Sequence, residues 1–422
     1  MSTDSRRKMT AQLFIPLIGE TNDGHHFLAD AIANGAKGFL TEREDVPSNA
    51  AFAVWVEDTT RALGDLARYV LHASGATVIA VTGSVGKTTT RQFIASVVSQ
   101  AGKTVATKGN FNNHIGLPLT ILGMDGDEKY AVLEMGMNHF GEISYLSRIA
   151  QPDMAVITMI GTSHIEYLGS RENILKAKCE IVDGMKADGI LVLNGDDDLL
   201  AHLDLRKNTH WFGKTKADFP YETVSFDGEF TVDGFHYHIP IPGAHNIQDA
   251  GAAVLIGKLI GLSPETIQAG LSRFTAEDWR QKIETVGSIT LIADCYNASL
   301  DSIRAALAVL SHTEGNRKVA VLGPIGEIGN YAELILKEVG NAVRQEKIDC
   351  LICVEKESHW ICEGAKEAGM APDAVYFFPQ REEFLSRMNK LLHPGDTVLF
   401  KASRKYRFEE LYEAFRQTLQ EN

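Results

Sequence analysis

Long hydrophobic runs are missing from this 422-residue chain. Nowhere do the roughly 18 consecutive apolar residues of a membrane-spanning helix occur. The opening Met1-Ser2-Thr3-Asp4-Ser5-Arg6-Arg7-Lys8 is polar, with no apolar stretch behind it of the kind a secretory signal carries. Cysteine is sparse as well: five residues supply no disulfide framework and fit a reducing compartment, which points to the cytoplasm. Positive charge is in deficit, with 41 Lys+Arg against 55 Asp+Glu and a net charge of −14. That balance argues against a general binder of nucleic acid or of a membrane surface and does not forbid a local anion pocket. Low-complexity segments and short repeats are absent too. What is present is ordinary globular material, 44% hydrophobic and long enough for two or three domains of about 100–200 residues.

One cysteine cluster needs weighing. Cys350-x2-Cys353-x5-His359-x2-Cys362 has the look of a zinc knuckle. Cys350 and Cys353, however, lie inside Ile348-Asp349-Cys350-Leu351-Ile352-Cys353-Val354, which reads as a buried parallel strand. Residues i and i+3 of a strand face opposite sides, so core packing is the preferred reading over a metal.

Short apolar runs alternate with longer amphipathic stretches, the pattern of βαβ units and parallel sheets. Expected strands are 78–82, 131–135, 155–160, 190–194, 290–294, 318–322, 350–354, 375–378 and 397–401, with helices over 60–73, 88–100, 171–185 and 246–259. The fold class is α/β. Three blocks result: 1–75, a small α/β piece; 76–275, opening on a glycine-rich loop; and 276–422, a second open sheet. The aromatic and turn-rich stretch from Trp211 to Pro242 predicts a hairpin at a sheet edge.

Val78-Ile79-Ala80-Val81-Thr82-Gly83-Ser84-Val85-Gly86-Lys87-Thr88-Thr89-Thr90 carries the most chemistry. A β-branched strand enters a glycine turn and Lys-Thr opens a helix. Such a loop aims successive backbone N–H groups, with a helix N-terminus behind them, at phosphate oxygens. Lys87 would reach the terminal phosphates and Thr88 would hold Mg²⁺. Val81 stands where the strict phosphate-loop pattern has its first glycine. Glu134 ends the next strong apolar strand, and His164 follows strand 155–160. Either alone reads as a strand-end polar group; both together, beside a phosphate loop, read as metal ligands at the carboxyl ends of parallel strands. Lys178, in Ile174-Leu175-Lys176-Ala177-Lys178-Cys179, reads from pattern alone as part of a solvated helix face.

These residues resemble the Mur ligases, the ATP-dependent amide-forming enzymes of peptidoglycan assembly. Beside Gly83–Thr90, the matching segments are Gly109–Pro118, Glu134–His139, His164-Ile165-Glu166, Ala177-Lys178 and Asn194–Asp197. Further on come Gly243-Ala244-His245-Asn246, Tyr296-Asn297-Ala298 and Lys401–Arg404. Within the family the chain is most similar to the members that add D-alanyl-D-alanine to UDP-N-acetylmuramoyl-tripeptide. The resemblance implies a three-domain Mur ligase architecture, with an N-terminal domain for the UDP-linked substrate, a central P-loop domain and a Rossmann-like C-terminal domain. It implies ATP and two Mg²⁺ sites, one served by Thr88 and Glu134, the other by His164 and a carbamylated Lys178. Catalysis would rest on Lys87, Glu134, His164 and Lys178. Gly83, Ser84, Gly86, Lys87, Thr88 and Thr89 would cradle the phosphates, and His245 and Asn246 would lie near the base. Arg280 and Asp294 would reach ribose and phosphates, Asn112 and Asn113 the reacting carboxylate, and His139 is a candidate base. The partners implied are a UDP-linked peptide and a dipeptide amine, for a monomer with no nucleic-acid or membrane partner.

The chain also departs from the family pattern. The family carries a longer stretch ahead of Asp4-Ser5-Arg6, so the first domain reads as shortened. Val85 replaces an asparagine in the loop. The family's Asp-Asp-x-Tyr-Asn-Ala-Asn-Pro is here Ala293-Asp294-Cys295-Tyr296-Asn297-Ala298-Ser299-Leu300, and its Gly-Asp-Met-x-Glu-Leu-Gly is Gly323-Pro324-Ile325-Gly326-Glu327-Ile328-Gly329. These changes leave open an alternative, a paralogue that joins a different carboxylate and amine. A P-loop enzyme that passes phosphate to a hydroxyl or to water is the competing class.

Overall fold

The structure is a computed structural model that describes residues 1–44, 47 and 49–421, Glu421 by its backbone alone. It forms two compact units, one of Met1–Thr82, Ala101–Ala155 and Glu180–Leu191, the other of Gly83–Gln100, Val156–Cys179 and Val192–Asn422.

In the first unit, Gln12–Phe14, Ala36–Thr41 and Phe52–Trp55 form a parallel three-stranded sheet in that order. Phe14 and Phe39 bury their rings against Leu28 and Ala31 of the helix Leu28–Ala33. Helix Thr59–Ser74 begins where the Asp58 carboxylate accepts from Arg61 N at 2.8 Å and ends at Gly75, whose φ of 68° no Cβ opposes. A cap of this kind contributes about 1 kcal/mol. The helix buries Leu63, Ala67 and Leu71, and Leu63 packs with Ile115, Leu119 and Leu122. Tyr130–Glu134 pairs in parallel with Thr77–Thr82 on one side and Thr104–Ala106 on the other, and all five of its residues are buried. A strand covered on both faces needs such an unbroken apolar run.

The second unit holds an extensive core. Its six-stranded sheet runs Lys282–Val286, Ile289–Ala293, Asp396–Lys401, Arg317–Leu322, Cys350–Val354, Val375–Phe378. The first pair is antiparallel and the others parallel. The chain leaves Ile289–Ala293, builds outward through three strands, and returns to fill the vacant place with Asp396–Lys401. That reversal opens a crevice at the carboxyl ends of the strands, where ligands of such sheets bind. Phe384, Phe400, Phe408, Tyr412 and Phe415 fill the core beside it, each burial stabilising by about 1.5–3 kcal/mol.

The altered Ser299-Leu300 has a simple structural role. Ser299 caps the helix Leu300–His312, its Oγ accepting from Ser302 N. An Asn-Pro pair would place a cap and a first helical residue at the same two positions.

Three expectations are corrected. The stretch from Trp211 to Pro242 is more than an edge hairpin: Thr209–Phe212 is a strand, and Tyr221–Thr223, Glu229–Val232 and Phe235–His238 form a separate antiparallel sheet. Strand 155–160 stops at Ile157, because the next residues turn to bond the glycine loop: Met159 O accepts from Ser84 N. Helix 171–185 is α-helical only over Arg171–Cys179 and continues as a 3₁₀ turn, Glu180–Gly184.

Cys350 and Cys353 are both buried, and Cys353 faces Cys362, whereas Cys350 lies near Arg317 and Asp396.

Candidate active site

Gly83 and Gly86 are glycines of necessity. At Gly83 a Cβ would lie 1.8 Å from Thr158 Oγ1, and at Gly86, with φ +85°, 2.5 Å from Asp249 Oδ1. The loop is thus pinned between two side chains, and helix Lys87–Val98 starts directly behind it. Thr90 N donates to Gly86 O at 2.8 Å, which leaves the amides before it at the helix mouth. Lys87 Nζ folds back to Gly83 O at 2.9 Å and Ser84 O at 3.4 Å. Ser84 Oγ is buried and unpartnered among the described residues. A buried hydroxyl costs free energy until something pairs with it, and a phosphate oxygen in the loop is a suitable acceptor.

Lys178 is not on a solvated face. It is 1% exposed, on the side of helix Arg171–Cys179 that buries Ile174, Ala177 and Lys178 together. Residues at i, i+3 and i+4 share a face, so position 178 follows the apolar stripe, not the lysine's chemical preference. Burial, and then the positive charge of Lys87, hold its pKa well below the ordinary lysine value. That shift favours the uncharged, nucleophilic form of the amine.

His164 has a left-handed backbone, φ 64°, and its Nδ1 stands 2.6 Å from Glu327 Oε2. Glu327, also left-handed at φ 58°, comes from the altered glycine-rich segment after strand Arg317–Leu322. Around this contact Glu166 N donates to Glu327 O, and the Tyr331 hydroxyl donates to Gly169 O at 2.7 Å. Asp301, from the first turn of Leu300–His312, closes on Gly161, where a Cβ would lie 2.1 Å from Asp301 Oδ2.

In the first unit Glu134 is 2% exposed. Its N–H donates to Thr107 Oγ1 at 2.9 Å and its Oε1 accepts from Asn112 Nδ2 at 2.8 Å. Asn113 Oδ1 accepts from the amides of Ile115 and Gly116 at the start of the helix Gly116–Leu122. Asn113, His114, Gly136, Phe140, Tyr145 and Leu146 border a pocket of ≈ 220 Å³. That is below the roughly 300–1,000 Å³ of a ligand cleft, so it is not by itself a nucleotide site. His139 is exposed, near Glu142.

His245 and Asn246 open helix Ala244–Leu259 and share one partner, Gln281. Gln281 Oε1 accepts from Asn246 Nδ2 at 2.9 Å and lies 3.1 Å from His245 Nε2, while its own Nε2 donates to Pro242 O at 2.7 Å. Burial pushes the His245 pKa down to about 4, so the ring is neutral at physiological pH. The Arg280 guanidinium covers the Tyr296 ring at 4.1 Å, and its Nε is buried without a partner among the described residues. Asp294 pairs with Lys401, which is buried at the carboxyl end of the returning strand and also bonds Asn297 O at 3.2 Å.

Four residues with no role assigned from sequence stand in contact with the candidate residues: Gln281, Asp249, Glu327 and Lys401. Lys401 had a readable signal, a charged residue ending an apolar parallel strand, as at Glu134. Gln281 and Asp249 had none.

A glycine loop opening a helix at a strand end, joined to an open sheet with a charged switch point, defines a P-loop nucleotide-dependent enzyme with a Rossmann-like second sheet. Residues 81–257 match the Mur ligase middle domain and 280–404 the Mur ligase glutamate ligase domain, and the chain belongs to the Mur ligase family. It is 41% identical over 420 residues to the UDP-N-acetylmuramoyl-tripeptide--D-alanyl-D-alanine ligase of Bacillus subtilis (strain 168), covering 97% of this chain and 92% of that one. It is 33% identical to the ligase of the same name from Escherichia coli (strain K12), covering 100% and 94%. Among solved structures it superposes on MurF from Acinetobacter baumannii with a TM-score of 0.90 at 32% identity, covering 99% and 93%. On the MurF ligase of Thermotoga maritima in complex with ADP the TM-score is 0.88 at 28% identity, covering 100% and 97%.

Proposed function

We propose that this chain is an ATP-dependent, ADP-forming ligase that joins D-alanyl-D-alanine to UDP-N-acetylmuramoyl-tripeptide in peptidoglycan precursor synthesis. The observation that carries this reading is the 41% identity, over nearly the full length of both chains, to a ligase of that name. The departures around Ser299 do not oppose it, since Ser-Leu keeps the helix cap.

A carboxylate and an amine do not condense at neutral pH without an activated leaving group. The substrate carboxylate attacks the γ-phosphorus of ATP, the bond to the bridging oxygen breaks, and ADP leaves behind an acyl phosphate. The uncharged amine of the dipeptide attacks the acyl carbon, the tetrahedral intermediate expels phosphate, and the amine's proton passes to a base, for which His139 is the candidate. The loop amides and Ser84 Oγ hold the phosphates. Lys87 turns from Gly83 O and Ser84 O toward the oxygens on which charge moves. His245, Asn246 and Gln281 receive the base, Arg280 and Asp294 the ribose and phosphates. Asn112 orients the acyl group, with Asn113 contributing its Nδ2 because its oxygen is taken by two backbone amides.

Thr88 and Glu134 are assigned to one magnesium ion, His164 and a carbamylated Lys178 to a second. The hydroxyl, the carboxylate and the carbamate are hard oxygen donors of the kind this ion takes, with the imidazole beside them, and the burial that lowers the Lys178 pKa favours the uncharged amine that adds to CO₂. Bound magnesium would neutralise charge on the transferring phosphoryl group. The reading is of a cytoplasmic monomer acting on small molecules; five free cysteines accord with a reducing compartment.

The test is phosphate release with ATP, Mg²⁺ and the UDP-linked tripeptide, with and without D-alanyl-D-alanine. Dependence on both substrates, with a product heavier by the dipeptide less water, is expected. Steady hydrolysis indifferent to the amine would overturn the ligase reading.

A further inference from the structure

The carboxyl group of Asp249 is buried beneath the phosphate loop, 7% exposed, and the ligase chemistry gives it no task. It meets the loop at Gly86 and accepts one hydrogen bond, from Thr90 Oγ1 at 3.0 Å. Thr90 is in the first turn of the helix that the loop opens. No cation pairs with it among the described residues. On that helix, Lys87 bonds the loop carbonyls and Arg91 is engaged by Glu277. From the other side comes Tyr221, whose phenol is pushed up by burial and then by the charges of Asp196 and Asp249, and whose ring Lys214 covers at 5.4 Å.

A buried carboxylate with one hydroxyl for company and no counter-charge is costly in its ionised form. It is also in the wrong place. The loop and helix mouth direct their partial positive charge at phosphate, and a fixed anion against Gly86 competes for that same field.

We propose that Asp249 is a positioning residue for the nucleotide loop that works as a neutral acid, so that nucleotide and this proton are held together and ionisation of Asp249 loosens the nucleotide. Burial raises its pKa to about 8, against the smaller opposing pull of the Thr90 hydroxyl. The group is therefore protonated through neutral pH and loses its proton just above. The proposal rests on the reading that this loop binds ATP, and adds to it a regulation by alkaline pH.

The experiment is calorimetric titration of the full chain with ADP and magnesium at several pH values, for the wild type and D249N. Asparagine keeps the shape and cannot ionise. The wild-type dissociation constant should rise by about tenfold between about pH 7 and about pH 9, the scale set by one linked proton, and D249N should lack that rise. Titration of ADP itself and of Lys87 is common to both proteins and cancels in their ratio. T90V, which removes the bond opposing the shift, should move the alkaline midpoint upward. Parallel profiles for wild type and D249N would overturn the proposal while leaving ATP binding intact. An unmoved midpoint in T90V would overturn it if D249N does not fold. No ADP binding at any pH would overturn this proposal and the ligase reading together.

Discussion

His164 Nδ1 and Glu327 Oε2 stand 2.6 Å apart, and both residues hold left-handed backbone to do so. Such a conformation costs a non-glycine residue about 1–2 kcal/mol. Two strained residues meeting side chain to side chain, one from the loop after Met154–Ile157 and one from the glycine-rich segment after Arg317–Leu322, mark a contact that the fold maintains against local preference. His164 Nδ1 makes no hydrogen bond among the described residues, so the carboxylate acts on the imidazole as a nearby negative charge.

Glu327→Gly separates the two aspects of this contact. Glycine relieves the backbone strain and removes the carboxylate, so the variant should melt no lower than the wild type while turning over roughly 10-fold more slowly or worse, the scale of losing such a supporting carboxylate. Thermal melting and steady-state phosphate release check it. A variant as active as the wild type would reduce the contact to packing.

Lys87→Ala should lower kcat by about 10³-fold or more, since the lysine accompanies the moving phosphoryl charge. Its circular dichroism melt should stay near that of the wild type, because the bonds of Lys87 Nζ to Gly83 O and Ser84 O lie within its own loop and join no distant element. Appreciable ATP-dependent turnover would remove Lys87 from the site.

Lys178→Ala should be inactive and partly restored by added acetate or formate, which supply a carboxylate where the carbamate's would be. Because Lys178 is buried, the cavity left by truncation can admit so small an anion. Full activity without rescue would show that the buried amine serves packing alone.

His245 predicts a limb in acid stability. Its folded pKa, about 4, lies below the ordinary 6.5, so the unfolded chain takes up the proton first. The contribution is complete above about pH 6.5 and is lost as pH falls toward 4. His245→Gln, which has no proton to take up, should show a shallower fall in melting temperature across that window. Equal slopes in the two proteins would contradict the neutral ring.

Asp249 acts in the opposite direction. Its folded pKa is raised from 3.8 to about 8, so the stability associated with its burial is present below pH 3.8 and falls as pH rises to about 8. Above about pH 8, D249N should therefore melt higher than the wild type, by several degrees if the full desolvation cost is relieved. A variant that melts lower at pH 8.5 than at pH 7 by the same margin as the wild type would be evidence that the carboxyl ionises freely.

Sequence by itself determined the features that depend on neighbours along the chain. The glycine loop between a β-branched strand and a helix, the polar residues ending apolar strands, and the alternation that makes parallel sheets are all local patterns, since strand and helix periods are set by the backbone. The family segments around Glu134, His164 and Tyr296 were legible for the same reason: each is contiguous. Tertiary structure decided whatever depends on burial or on partners far apart in the chain. Lys178 looks solvated on its helix and is enclosed, because the helix turns that face inward. Glu327 reaches His164 across more than 150 residues only because the left-handed turns at both ends aim the side chains together. Gln281 becomes the common partner of His245 and Asn246, and Asp249 becomes an acid under Gly86 without a counter-ion among the described residues. Electrostatic energies depend on distance and desolvation in three dimensions, and no pattern of residue types along one dimension contains them.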